Sequence, residues 1–223
     1  MEVYRTEEEQ LEAIKRWLRQ NGPALLVGIL LAVVAVVGWT TWQKRQHGDL
    51  EAASVHYQSL LEAIRELDRQ PTPELQTTAR HLADTLRKDY DGTTYAQFAA
   101  LLRARLAVQD KDLATAESEL RWVLDQRPDA GLADVTGYRL ARVLHAKGDD
   151  DAALKLIDEG AKGGYAQAYE KLRGDILLAR GDATAARAAY EKAQRLQSEL
   201  EQPVNDPLLE IKLQDLQATA KES

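Results

Sequence analysis

With 223 residues, 44% of them hydrophobic, the chain can bury a substantial core, and its 36 Asp and Glu against 29 Lys and Arg give a formal net charge of −7. That acidic balance argues against binding nucleic acid through a bulk electrostatic field. The sequence holds no cysteine, which excludes structural disulfides, thiolate metal sites and a lipid-bearing anchor cysteine.

Aromatic residues make up only 6%, Ala and Leu dominate, and an all-α chain is expected. Thr6 and Glu9 have the spacing of a capping box, in which two side chains satisfy orphan backbone N–H groups. Leu11, Ile14, Trp17 and Leu18 then recur at helical spacing among charges. The pattern predicts either an amphipathic helix at a membrane surface or a frayed helical tail over residues 1–22. Asn21-Gly22-Pro23 is expected to end it, with Pro23 opening the next helix.

From Pro23 to Trp42 the sequence reads PALLVGILLAVVAVVGWTTW, and no charge occurs between Arg19 and Lys44. A bilayer core about 30 Å thick needs roughly 20 helical residues. A transmembrane signal anchor is therefore predicted over residues 23–43. The acidic segment before it and the missing small-x-small site after it argue against a cleaved signal peptide. Trp39 and Trp42 fit an interfacial belt. Arg5, Lys15, Arg16 and Arg19 precede the span and only Lys44 and Arg45 closely follow it. This asymmetry predicts a cytoplasmic N-terminus and an outer C-terminal domain. Ala24, Gly28 and Ala32 share one helix face, which suits close approach of another helix, although such residues are common in spans generally.

Six of the basic and five of the acidic residues precede Gln46, so residues 46–223 hold 23 against 31, a net of −8. This part predicts helices joined by short turns. Ala53, Tyr57, Leu60, Leu61 and Ile64 form one stripe, ended by Pro71 and Pro73; Ala79, Leu82, Ala83 and Leu86 form another, ended near Asp91-Gly92. A repeat then emerges. Ala104, Ala141 and Gly174 are separated by 37 and 33 residues, and so are Ala116, Ala153 and Ala186, and Asp112, Asp149 and Asp182. Small residues let paired helices pack closely, and Asp at each turn can cap the second helix. Pairs that bury their apolar faces only by stacking form a solenoid. Pro207 to Leu216, with Leu209, Leu213 and Leu216 on one face, predicts a closing helix.

These marks resemble tetratricopeptide repeats. Leu140-Ala141 with Leu144 and Ala153 matches that pattern, as do Gly174, Leu177, Ala186, Tyr190 and Ala193. Arg103 stands where the pattern prefers Leu, and no copy carries the usual Trp of the first helix. The opening MEVYRTEEEQLEAIKRWLRQNG, the span ending GWTTWQ and the acidic repeats together resemble the YfgM family of ancillary SecYEG translocon subunits. The resemblance implies an inner-membrane, single-pass protein with a tetratricopeptide-like domain at 46–223 in the periplasm. It further implies partnership with SecYEG and with PpiD, a membrane-anchored periplasmic chaperone of the prolyl-isomerase class, and a role in handing translocated polypeptides to chaperones. The residues alone leave open an adaptor for another envelope assembly, such as cytochrome maturation or cell-wall machinery.

Signatures of catalysis are missing. His47, His56, His81 and His145 show no metal-ligand spacing, and no nucleophile elbow, Walker or dinucleotide motif occurs. Asp149-Asp150-Asp151 lacks the alternating ligands of a calcium loop and fits helix capping instead. Neither cofactor, metal nor enzymatic activity is expected. In tetratricopeptide repeats the first helices line a groove, which here implicates Phe98, Leu101 and Arg105, then Tyr138, Arg142 and His145, then Lys171 and Asp175. Arg105 and Arg142 are equivalent positions that can either pair a partner's carboxylate or form ordinary surface ion pairs worth about 0–1 kcal/mol.

Overall fold

The computed structural model describes residues 7–160, 164–199 and 206–222, apart from the side chains at 7–10, 13, 23–25, 29, 41–47 and 219–222. Every regular element among the described residues is an α-helix. The chain divides into two compact units, Met1–Ala52 and Ala53–Ser223.

In the first unit the helical backbone belongs to α1 (Glu7–Arg69). Asn21-Gly22-Pro23 does not end a helix as expected; helical backbone runs through it, and segments Ile14–Gly22 and Leu26–Thr40 are bent by 56°. Proline removes one helical hydrogen bond and crowds the preceding turn, which kinks a helix. Among the described residues no single helix is long and apolar enough to cross a membrane, whereas the bent pair passes by length and composition. Leu26, Leu30, Val34 and Trp39 are 61–70% exposed. An apolar surface all round a helix suits immersion in hydrocarbon, since a soluble helix buries one stripe. Gly28 and Ala32 are exposed too. The Thr6–Glu9 box and the Ala24 side chain lie outside the described residues.

The second unit begins with the part of α1 from Ala53 onward. Ala53, Leu60, Ile64 and Leu67 are buried with Ala79, Ala83 and Leu86 of α2 (Pro73–Asp89) and with Ala99 and Leu106 of α3 (Thr94–Gln109). Pro73 takes the first position of α2, where its missing N–H costs nothing, and Thr72 caps the helix by accepting from Leu75 N at 3.3 Å.

Three pairs follow: α3 with α4 (Leu113–Asp125), α5 (Ala130–Ala146) with α6 (Asp150–Gly160), and α7 (Ala166–Ala179) with α8 (Ala183–Ser198). All six small residues of the repeat are buried. The three aspartates cap as the spacing predicts, accepting from Thr115 N, Ala152 N and Ala185 N at 3.0, 3.2 and 2.9 Å. Their own N–H groups donate back to Ala107, Leu144 and Leu177 carbonyls at 2.8–3.0 Å. This closure requires the preceding residue to be left-handed, and Gly148 and Gly181 adopt φ +82 and +85. Lys111 adopts φ +64 at the same place without a glycine's freedom.

Tyrosines fill the notches beside small residues. The Tyr169 ring lies against Gly137 and Gly160, and its hydroxyl donates to the Asp134 carbonyl at 3.2 Å. Burial, then the nearby Asp134 carboxylate, pushes its phenol up to about 12. Tyr190 fills the notch at Gly174 so closely that an added Cβ would overlap the ring. The end of this unit is covered by α9 (Pro207–Glu222), whose Leu209, Leu213 and Leu216 bury against Ala186, Tyr190 and Ala193 as predicted. Each fully buried Leu contributes about 1.5–3 kcal/mol.

Candidate polypeptide-binding groove

A cavity of about 490 Å³ opens between α3, α4 and α5. Its lining combines Leu101, Leu102, Ala104, Val108, Leu113, Leu120, Val143 and Ala146 with Gln109, Arg105, Arg139 and Arg142. The local sequence explains the arrangement. Ala104 and Ala116 bring α3 and α4 together, while Leu101, Arg105 and Val108 recur at helical spacing on one side of α3. Arg139 and Arg142 stand one turn apart on α5. Among the described residues no acidic side chain lines the cavity.

Of the expected groove residues, Leu101, Arg105 and Arg142 come together here. Leu101 is buried, and Arg105 pairs with Asp68 of α1 at 2.6 Å. Arg142 has no carboxylate partner among the described residues; its guanidinium carbon lies 5.8 Å from the centre of the Tyr138 ring. Arg139, which the sequence reading missed, likewise has no carboxylate partner among the described residues and is exposed. The same reading missed Leu102, Val108 and Val143.

The other expected residues lie outside the cavity lining. Phe98 stacks in tilted fashion on Tyr57 at 5.8 Å, and Tyr138 meets Tyr165 and Tyr169 at 5.9 and 5.7 Å. The His145 Nδ1 lies 2.6 Å from Asp150 Oδ1, and Asp150 also accepts from Arg180 at 3.3 Å. The hydrogen bond from His145, then that from Arg180, holds the Asp150 carboxyl below its ordinary value against partial burial. Lys171 Nζ donates to Asp206 Oδ2 at 2.5 Å. Asp175 accepts from the Tyr190 hydroxyl at 2.7 Å and from Lys212 of α9. Burial, then that Asp175 contact, pushes the Tyr190 phenol well above its ordinary range.

Arg103, the departure from the repeat pattern, has a definite partner set. Its guanidinium bridges Asp84 of α2 at 2.8 Å and Glu119 of α4 at 3.0 Å, while Arg87 lies 3.3 Å over the Trp122 ring. An aliphatic residue there could not tie three helices through charge. No group of three or more His, Asp or Glu side chains suited to a metal ion occurs among the described residues.

Comparison with known proteins supplies the wider setting. The family model described as a tetratricopeptide repeat-like domain matches residues 15–218. A protein of Escherichia coli K12 named ancillary SecYEG translocon subunit is 35% identical over 86% of this chain and 88% of its own. Proteins of the same name from Aggregatibacter actinomycetemcomitans and Haemophilus influenzae are 31% and 29% identical, over 94% and 88% of this chain and 97% and 92% of theirs. No solved structure matches significantly.

Proposed function

Since the chain belongs to the family of ancillary SecYEG translocon subunits with a tetratricopeptide repeat-like domain, we propose that it is a membrane-anchored, non-enzymatic scaffold at the Sec translocon. In this reading residues 23–43 form the anchor, residues 1–22 remain cytoplasmic, and residues 46–223 extend into the periplasm. The apolar, all-round exposed segment Leu26–Thr40 supports the anchor. The excess of Lys and Arg before it supports the orientation. Gly28 and Ala32, with Ala24, offer a face for a neighbouring helix in the bilayer.

The observation that carries the binding role is the cavity between α3 and α5, apolar within and bordered by arginines without acidic neighbours in its lining. Such a surface suits a polypeptide segment, because interface cores favour apolar groups beside arginine. Its occupants in this reading are a translocating chain or the chaperone PpiD. Tethering at the membrane raises their local concentration, so weak contacts suffice for handover.

Copurification of the full chain from membranes in mild detergent tests this function. SecYEG and PpiD are expected in the eluate, and removal of residues 1–45 is expected to lose SecYEG. Recovery of neither partner, or of a different envelope assembly in their place, overturns the proposal.

A further inference from the structure

Arg139 and Arg142, one turn apart on α5, line a cavity whose wall is otherwise aliphatic except for Arg105 and Gln109. Residues 46–223 carry a net charge of −8, yet the cavity lining contains three arginines and no acid. Of these three, only Arg105 has a carboxylate partner among the described residues, Asp68. The charge of the lining is therefore opposite in sign to the net charge of the domain as a whole. Low-dielectric walls strengthen charge interactions made beside them. A basic segment would meet repulsion from Arg139 and Arg142, and a wholly apolar one would leave both guanidinium groups facing it uncompensated. A volume of about 490 Å³ lies within the range of about 300–1,000 Å³ seen for binding pockets.

We infer that this cavity receives an acidic, leucine-rich segment of a partner polypeptide. Its aliphatic side chains pack on Leu101, Val108, Leu113 and Val143, and its side-chain carboxylates are taken by Arg139 and Arg142. The inference rests on the groove proposed above as a polypeptide-binding surface and adds the chemistry that selects the segment. Arginine's planar fork matches a carboxylate in two parallel hydrogen bonds, which makes the selection one of geometry as well as charge.

The test uses the full chain purified in mild detergent and a fluorescein-labelled 12-residue peptide of alternating Leu-Leu and Glu-Glu pairs. Its C-terminus is amidated, so that only side-chain carboxylates are offered. Three companion peptides replace every Glu by Lys, every Glu by Gln, or every Leu by Ser. Fluorescence anisotropy is expected to show saturable, salt-sensitive binding of the acidic peptide and none of the Lys peptide. The Gln and Ser peptides each bind at least about tenfold more weakly, as loss of charge-assisted bonds or of apolar burial requires. The double substitution Arg139→Glu with Arg142→Glu is expected to weaken the acidic peptide by at least about tenfold and to admit the Lys peptide. The milder pair Arg139→Gln with Arg142→Gln, checked by circular dichroism, repeats the loss should charge reversal disturb folding. No saturable binding, equal binding of the Glu and Gln peptides, full retention by the Ser peptide, or indifference to both arginine pairs overturns the inference. Failure here leaves SecYEG copurification unaffected, whereas failure of the translocon role appears as loss of SecYEG with peptide selectivity intact.

Discussion

Arg105, Arg142 and Asp175 each follow the small packing residue of a first helix, but the two halves of the domain use that position differently. At α3 and α5 the position faces the cavity, where Arg105 pairs with Asp68 of α1 and Arg142 has no carboxylate partner among the described residues. At α7, Asp175 is taken by Tyr190 and Lys212, and Lys171 by Asp206. The C-terminal helix thus occupies the polar groups of the last pair while burying its own leucines. A repeat stack needs its ends sealed, because a pair without a neighbour leaves its apolar face bare. Helix α9 meets that need at α7 and α8, as α1 and α2 do at α3, and the α3–α5 cavity between them is the surface proposed above for a partner.

That contrast can be broken most forcefully at Tyr190. Its ring is fully buried against Gly174 and the α9 leucines. Tyr190→Ala is expected to cost about 3–5 kcal/mol, the usual range for removing a large buried ring. Urea unfolding of the full chain in detergent checks this, and a loss below about 1 kcal/mol contradicts the sealed-end account.

A smaller effect is expected from Asp175→Ala, which leaves Lys212 and the Tyr190 hydroxyl without their acceptor. A loss of about 1–3 kcal/mol follows from stranding half-buried polar groups, with faster proteolysis within Pro207–Glu222 as its local signature. Arg142→Ala at the corresponding cavity position should leave both readouts unchanged. Equal effects from the two substitutions would erase the distinction between the two positions.

Acid should sharpen the contrast further. Burial favours protonation of Asp206, but the Lys171 ammonium and the Leu209 N–H outweigh it and hold the carboxyl below its ordinary 3.8. A depressed folded-state value means that the stabilisation is present above about pH 3.8 and is lost as pH falls through the lower folded value. The stability difference between the parent chain and Asp206→Asn should therefore be constant near neutrality and shrink in strong acid. A difference that grows in acid contradicts this sign.

The smallest effect is expected at the turn before α4. Lys111 holds a left-handed conformation that Gly148 and Gly181 take freely in the later repeats. Lys111→Gly should raise stability by up to about 1 kcal/mol, the strain relieved less the entropy a glycine adds to the unfolded chain.

The periodic marks made the paired helices readable before any coordinates. The same two intervals, 37 and 33 residues, separate Ala104, Ala141 and Gly174 and also Asp112, Asp149 and Asp182, and they encode packing and capping that depend on near neighbours. The stripe of Leu209, Leu213 and Leu216 was equally legible because one helix face carries it. Charge partnerships were not. Arg103 finds Asp84 and Glu119 on two other helices, and no periodicity announces such a pairing. Arg139 and Val108 entered the cavity because of how α3 and α5 face each other, which helical spacing alone leaves undetermined. Lys171 and Asp175 looked available in sequence because their partners Asp206 and Lys212 lie about one repeat length away. The Asn21-Gly22-Pro23 step carried the right break signal, but helical backbone persists through a bend there.

Site-specific photo-crosslinking from two half-exposed apolar positions weighs the two regions directly. Val108 lines the α3–α5 cavity at 44% exposure, and Leu178 lies on α7 at 40%. With the photoreactive residue introduced into the full chain in membranes, Val108 is predicted to yield adducts containing a SecYEG subunit, PpiD or a translocating chain, and Leu178 none. Adducts with those proteins from Leu178 and not from Val108 would contradict the assignment of the open cavity as the binding surface.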